Sequence, residues 1–286
     1  MNLRITFYLS CLVLLAACSS GQEVINAEGE PTIVATEAPA PTEAATPTLL
    51  PPTDPAPFAL DSIRPGQEMA YAFQATSGEV IHYWLYIPDN YDAGRSWPLI
   101  IALHGNLGFD PSLDSVRQQS PTAFVGSQVD FPFIVVSPRA PDGPWDIYHE
   151  PMEELIGLLG ESLSVDPEAQ FLTGLSTGEV GAWRWALAFP DRFTGLALIA
   201  GAPSSPLFEF DPGEACKLRD LPIWVGHSEA DERVPIESIR AAVTALEDCG
   251  STKVTFTVYT GLDHAESFVT AYSGPELYDW MLALAK

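Results

Sequence analysis

From Asp61 onward, short runs of apolar and β-branched residues alternate with stretches in which apolar positions recur every three or four residues. The compact runs predict strands at 69–75, 80–87, 99–103, 133–137, 170–173, 195–200, 223–226 and 254–259, the first two as an antiparallel pair. The periodic stretches predict helices at 112–124, 150–163, 177–189, 236–247 and 275–285. Such alternation implies an α/β fold, a mainly parallel eight-stranded sheet with helices on both faces. With no internal repeat and no Pro-rich break, residues 61–286 read as one domain. Ligands of an open parallel sheet bind beyond the carboxyl ends of its strands, so the chemistry is expected in the loops that follow each strand.

The chain before Asp61 has no such pattern. One positive charge at Arg4 precedes an apolar stretch from Ile5 to Ala17 that is too short to span a bilayer, which predicts a signal peptide over 1–17. The stretch ends Leu15-Ala16-Ala17-Cys18, which resembles the lipobox of bacterial lipoproteins. That resemblance implies that Cys18 is lipidated and becomes the N-terminus of an extracytoplasmic protein, held at a bacterial membrane by its acyl chains alone. Over 18–60, Pro, Thr and Ala dominate, Lys and Arg are absent, and Phe58 is the only aromatic residue. This segment reads as a disordered, semi-stiff tether.

Composition narrows the partners. With 38 acidic and 13 basic side chains the formal net charge is −25, and no basic cluster interrupts it. Phosphate backbones and anionic lipid surfaces are repelled, which excludes nucleic acid and direct lipid binding. Of the four Cys, Cys11 leaves with the leader and Cys18 takes lipid. Cys216 and Cys249 remain in a compartment that permits disulfides. Both precede adjacent predicted strands at one end of the sheet and are expected to bridge.

The strand at 170–173 runs into Gly174-Leu175-Ser176-Thr177-Gly178 and then a helix, the strand–turn–helix setting that G-x-S-x-G requires. The sharp turn leaves no room for side chains two positions either side of the Ser. A Ser hydroxyl needs a base, and the base an orienting carboxylate. The strand at 223–226 leads into a loop carrying Asp231, and the last strand leads into Asp263-His264. The order Ser176, Asp231, His264 makes Ser176 the candidate nucleophile, Asp231 the acid and His264 the base. The sequence has no C-x-x-C, H-E-x-x-H, P-loop or G-x-G-x-x-G, so neither a metal nor any cofactor is implied.

Four segments, Leu103-His104-Gly105, Gly174 to Gly178, His227 to Pro235 and Asp263-His264, resemble the carboxylesterase, polyhydroxybutyrate-depolymerase and feruloyl-esterase-like group of α/β-hydrolases. The resemblance implies a serine ester hydrolase with Ser176, Asp231 and His264 as its triad. It also implies an oxyanion hole made by the backbone N–H groups of Asn106 and Thr177. His104 and His227 themselves are read as structural hydrogen-bonding residues rather than catalysts. Rival acids are Asp263, beside the base, and Glu209 and Asp211, on the loop after the strand ending at Ala200. Phe109, Trp145, Tyr148, Phe208, Phe210 and Phe268 are candidates either for lining an apolar pocket or for ordinary packing.

Two positions depart from the group's pattern. Ser228 and Glu179 stand where relatives commonly carry Gly. A charge on Glu179, about 7 Å from the developing oxyanion, would oppose it by roughly 2 kcal/mol. The expected partner is an ester, polymer-derived substrates included. The sequence leaves open a binding lipoprotein that keeps the fold without turnover, and a peptidase acting on short peptides; it does not speak to oligomeric state.

Overall fold

The computed structural model describes residues 55–108, 112–127, 131–140, 145, 148–204 and 209–285. The predicted leader, the lipidation candidate Cys18 and most of the tether lie outside these residues, as do Phe109 and Phe208.

The strands are β1 (Glu68–Gln74), β2 (Val80–Tyr86), β3 (Trp97–Leu103), β4 (Ile134–Pro138), β5 (Val165–Leu175), β6 (Gly195–Ile199), β7 (Ile223–Ser228) and β8 (Val254–Tyr259). They form one sheet in the order β1-β2-β4-β3-β5-β6-β7-β8. The β1–β2 and β2–β4 pairs are antiparallel, and the others are parallel. Helices are α1 (Leu113–Arg117), α2 (His149–Ser162), α3 (Thr177–Ala188), α4 (Ile236–Asp248), α5 (His264–Ser273) and α6 (Glu276–Leu284).

Both faces of the sheet are covered, which is why its central strands read as unbroken apolar runs. Leu99, Ile101, Leu172, Leu198 and Val225 point to one face and meet Leu155 and Leu159 of α2, Trp183 and Trp185 of α3 and Ile239 of α4. Ile100, Phe171, Ala197 and Trp224 point to the other and meet Tyr272 of α5 and Tyr278 and Met281 of α6. Among the pocket candidates, Trp145, Tyr148 and Phe210 belong to the first core and Phe268 packs on the second.

Three local differences from the sequence reading have physical causes. The helix expected over 112–124 stops at Arg117, and a 3₁₀ segment begins at Pro121, because proline disfavours helical backbone in the residue before it. Helix α5 was not predicted, although its start is a capping box. Asp263 Oδ1 accepts the Glu266 N–H and Glu266 Oε2 accepts the Asp263 N–H, both at 2.8 Å. Finally, the folded edge takes in residues assigned to the tether. Pro57 bridges to Ala72 of β1, and the Phe58 ring sits edge-on to Tyr71 at 5.3 Å.

Strand order sets the place of the site. From β3 the chain moves outward to β4, then returns to lay β5 on the other side of β3. The loops leaving β3 and β5 therefore diverge and open a crevice between them, the switch point at which such sheets bind ligands.

Candidate active site

The register pairs Leu103, the last residue of β3, with Gly174 near the end of β5. Two loops thus start side by side, one carrying His104-Gly105-Asn106 and the other Ser176-Thr177. Ser176 has φ 52° and ψ −116°, a conformation that costs a non-glycine residue about 1 to 3 kcal/mol and persists only when the surroundings enforce it. They do so from both sides. The Ser176 N–H donates to the Ile199 carbonyl at 2.8 Å. A side chain at Gly174 would overlap the Gly178 carbonyl, and one at Gly178 would overlap that of Leu103.

Ser176 Oγ lies 3.0 Å from His264 Nε2, and His264 Nδ1 lies 2.7 Å from Asp231 Oδ2. Asp231 Oδ1 accepts the N–H groups of Arg233 at 2.9 Å and Val234 at 3.0 Å. One carboxylate oxygen thus holds the loop and the other holds the imidazole. Burial alone would raise the Asp231 pKa, but the Val234 N–H, His264 and the Arg233 N–H together outweigh it and hold the group below the usual aspartate range. An ionised Asp231 requires His264 to carry its proton on Nδ1, which leaves Nε2 free to accept from the Ser176 hydroxyl. Beneath this pair His227, fully buried, donates from Nε2 to the Val234 carbonyl at 2.8 Å and lies 3.6 Å from Asp231 Oδ2. Burial pushes its pKa down, so it is neutral.

The rival acids are occupied elsewhere. Asp263 caps α5, and Asp211 caps a 3₁₀ turn by accepting the Gly213 N–H at 2.8 Å. Glu209 lies with Arg184 and Glu214 along a separate surface groove.

The loop after β3 is fixed by side chains that motif reading did not connect. His104 Nε2 accepts the Ala140 N–H at 3.1 Å, so its proton sits on Nδ1, which donates to the Gly105 carbonyl at 2.6 Å. Burial lowers the His104 pKa to about 4, in keeping with a neutral ring. Gln119, in the turn after α1, accepts the Gly105 N–H at 2.8 Å and donates to the Asn106 carbonyl at 3.2 Å. Among the described residues, no hydrogen bond takes up the N–H of Asn106 or of Thr177, the first residue of α3. The two loops are in close contact, since a Cβ on Gly105 would lie 3.1 Å from Ser176 Cβ.

The sequence reading weighed Glu179 as a charge near the developing oxyanion, and the fold gives its carboxyl a different setting. It is completely buried. Oε2 accepts the Gly201 N–H at 2.8 Å and Oε1 accepts Trp183 Nε1–H at 3.3 Å. Burial outweighs both bonds and raises its pKa from the ordinary 4.5 to about 8, so at neutral pH the carboxyl keeps its proton. The side chain braces the exit of β6, where Ala200 also takes a positive φ, 50°.

Solved structures decide what this frame is. A thermostable esterase superposes with a TM-score of 0.65 at 27% identity, covering 76% of this chain and 62% of its own. The chain has the α/β-hydrolase fold. A feruloyl esterase module from Clostridium thermocellum (TM-score 0.57, 15% identity, 81% of this chain and 92% of that one) shares the fold. So does an S-formylglutathione hydrolase from Agrobacterium tumefaciens (0.56, 19%, 77% and 95%). Among curated proteins, "Putative esterase NocK" of Nocardia uniformis subsp. tsuyamanensis is 30% identical over 102 residues, 36% of this α/β-hydrolase chain. The match spans about a quarter of that protein's length, 27%. No family model matches the chain.

Beside His264 a cleft opens between the loop after β7 and the start of α5, edged by Glu232, Arg233, Asp263 and Glu266. At the other end of the sheet, Cys216 and Cys249 form a disulfide with Cα atoms 5.0 Å apart, joining the 3₁₀ segment before β7 to the end of α4 before β8.

Proposed function

We propose that the chain is a serine hydrolase of carboxylic esters, with Ser176 as nucleophile, His264 as general base and Asp231 as the acid that orients it. The single observation that carries this reading is the hydrogen-bond relay from Ser176 Oγ through His264 to a buried, doubly anchored Asp231. Esterases among the similar proteins support it.

In this mechanism the Ser176 oxygen attacks the ester carbonyl as its proton passes to His264 Nε2. Asp231 stabilises the resulting imidazolium. The tetrahedral oxyanion is met by the N–H groups of Asn106 and Thr177, a donor of this kind contributing about 3 to 4 kcal/mol. Collapse expels the alcohol, which takes the proton from His264 and leaves an acyl-enzyme on Ser176. Water then repeats the sequence to release the acid. The acidic edge of the cleft and the net charge of −25 favour neutral esters over anionic ones. Anchoring through Cys18 belongs to the same proposal and rests on the sequence. The alternative, a binding lipoprotein without turnover, has its support in the departure at Glu179, where burial raises the pKa and so weakens the opposition to an oxyanion that a charge there would give.

The test is labelling of the protein with a fluorophosphonate followed by peptide mapping, beside turnover of short-chain p-nitrophenyl esters and matched anilides. Modification is expected at Ser176 with ester turnover exceeding amide turnover. Ser176→Ala should lower the rate by about 10⁶-fold. Ester turnover that survives Ser176→Ala overturns the reading.

A further inference from the structure

The loop that carries Asn106 is held peptide group by peptide group. The Gly105 N–H is taken by Gln119 Oε1, the Gly105 carbonyl by His104 Nδ1–H and the Asn106 carbonyl by Gln119 Nε2–H. In this sequence of donors and acceptors the Asn106 N–H is the group passed over. The carboxamide of Gln119 binds the peptide on each side of the one that carries the Asn106 N–H. The fit is close, since a Cβ on Gly105 would lie 3.2 Å from Gln119 Oε1.

Gln119 is itself on a fixed mount. Its N–H donates to the Val116 carbonyl at 3.0 Å, and the next residue, Ser120, is buried and hydrogen-bonded to Thr122. The short helix before it is tied to the sheet twice. Trp84 Nε1–H donates to the Leu113 carbonyl at 2.8 Å, and Arg117 pairs with Glu68 of β1.

We propose that Gln119 is a positioning residue of the oxyanion hole. By clamping both flanking peptides it aims the Asn106 N–H at the place where negative charge develops, so acyl transfer depends on a side chain that acts only through the loop. This inference rests on the hydrolase reading. Its premise is geometric: an oxyanion donor must be aimed before the reaction, because a loop that has to reorganise during the reaction gives up part of its stabilisation.

Gln119→Met keeps the length of the side chain and removes both bonds, whereas Gln119→Glu keeps an acceptor for the Gly105 N–H and sets a charged acceptor against the Asn106 carbonyl. The readouts are kcat and KM for p-nitrophenyl butyrate, normalised to active sites titrated with a fluorophosphonate, and the inhibition constant of phenylboronic acid, whose Ser adduct carries a tetrahedral anion. In Gln119→Met, kcat per titrated site should fall about 10- to 100-fold with KM within threefold, less than the 10²- to 10³-fold typical of deleting a donor outright. Boronate binding should weaken by a similar factor. Gln119→Glu should lose a comparable share of kcat while keeping the wild-type KM. A role in folding alone would lower the titrated fraction and leave kcat per site unchanged. That outcome in either folded variant overturns the inference while leaving the hydrolase reading intact. Absence of Ser176-dependent turnover in the wild type removes both.

Discussion

Glu179→Gln converts the buried carboxyl beside the nucleophile loop into a neutral amide of the same shape. Gln can still accept the Gly201 N–H, so the variant isolates the ionisation. The folded protein holds the Glu179 proton up to a pH of about 8, whereas an exposed carboxyl gives it up near 4.5. Between these values the folded state binds one more proton than the unfolded state. Stability contributed by this group is therefore full below pH 4.5, declines as pH rises and levels off above about 8. One proton corresponds to about 1.4 kcal/mol per pH unit, and integration from pH 5 to pH 8 gives a loss on the order of 3 to 4 kcal/mol. In Glu179→Gln that loss is absent. Urea-unfolding free energies of both proteins at constant salt from pH 5 to pH 9, disulfide intact, measure it directly. His104, His227 and Asp231 also titrate differently on folding, but they are common to both proteins and cancel in the comparison. The variant should gain on the wild type from pH 5 to about pH 8, and the difference should then level off. Parallel curves would show that the carboxyl ionises alike in folded and unfolded chains and would refute the argument. At pH 7, where no charge stands near the oxyanion to be removed, the same substitution should leave kcat within a few fold rather than raise it.

Asp231→Asn should lower kcat by about 10⁴-fold by losing the acceptor that fixes the His264 tautomer; Asp263→Asn, which preserves a good helix cap, should cost less than tenfold. Equal losses in the two, measured on the same ester, would reassign the acid. Free-thiol titration of unfolded, unreduced protein should find neither Cys216 nor Cys249, and Cys216→Ala/Cys249→Ala should unfold about 3 to 4 kcal/mol more easily in urea, from the chain-entropy cost of the loop closed across 33 residues.

What could be read from the sequence follows from the range of each interaction. Strands covered on both faces announce themselves as apolar runs, and the turn at Ser176 announces itself because Gly174, Ser176 and Gly178 meet within one tight bend. Asp231 and His264 were legible through their order and their places after β7 and β8. Helix α5 went unread although Asp263 and Glu266 have the spacing of a capping box, since His264 drew attention as a loop residue. Gln119 has no motif around it. Its role arises only when the turn after α1 is folded back onto a loop 14 positions earlier. Glu179 is a related case. Sequence position places a carboxyl in the first turn of α3, but only the packing of β6 and Gly201 against it determines whether that carboxyl is charged.

The separation of the proposed triad along the chain has a consequence for how the molecule comes into being. Ser176 and His264 stand 88 positions apart, and Asp231 and His264 stand 33 apart. The loops around Ser176 are brought together by the pairing of β3 with β5, and Asp231 and His264 by β7 with β8. Pairings this distant close late, because the entropy of long loops is lost before the contacts repay it. A partly folded chain can therefore hold much of its helix and several strands while Ser176 still lacks its contact with His264 and the loop after β3. On the proposed mechanism, recovered activity would report that both pairings have formed rather than any one element.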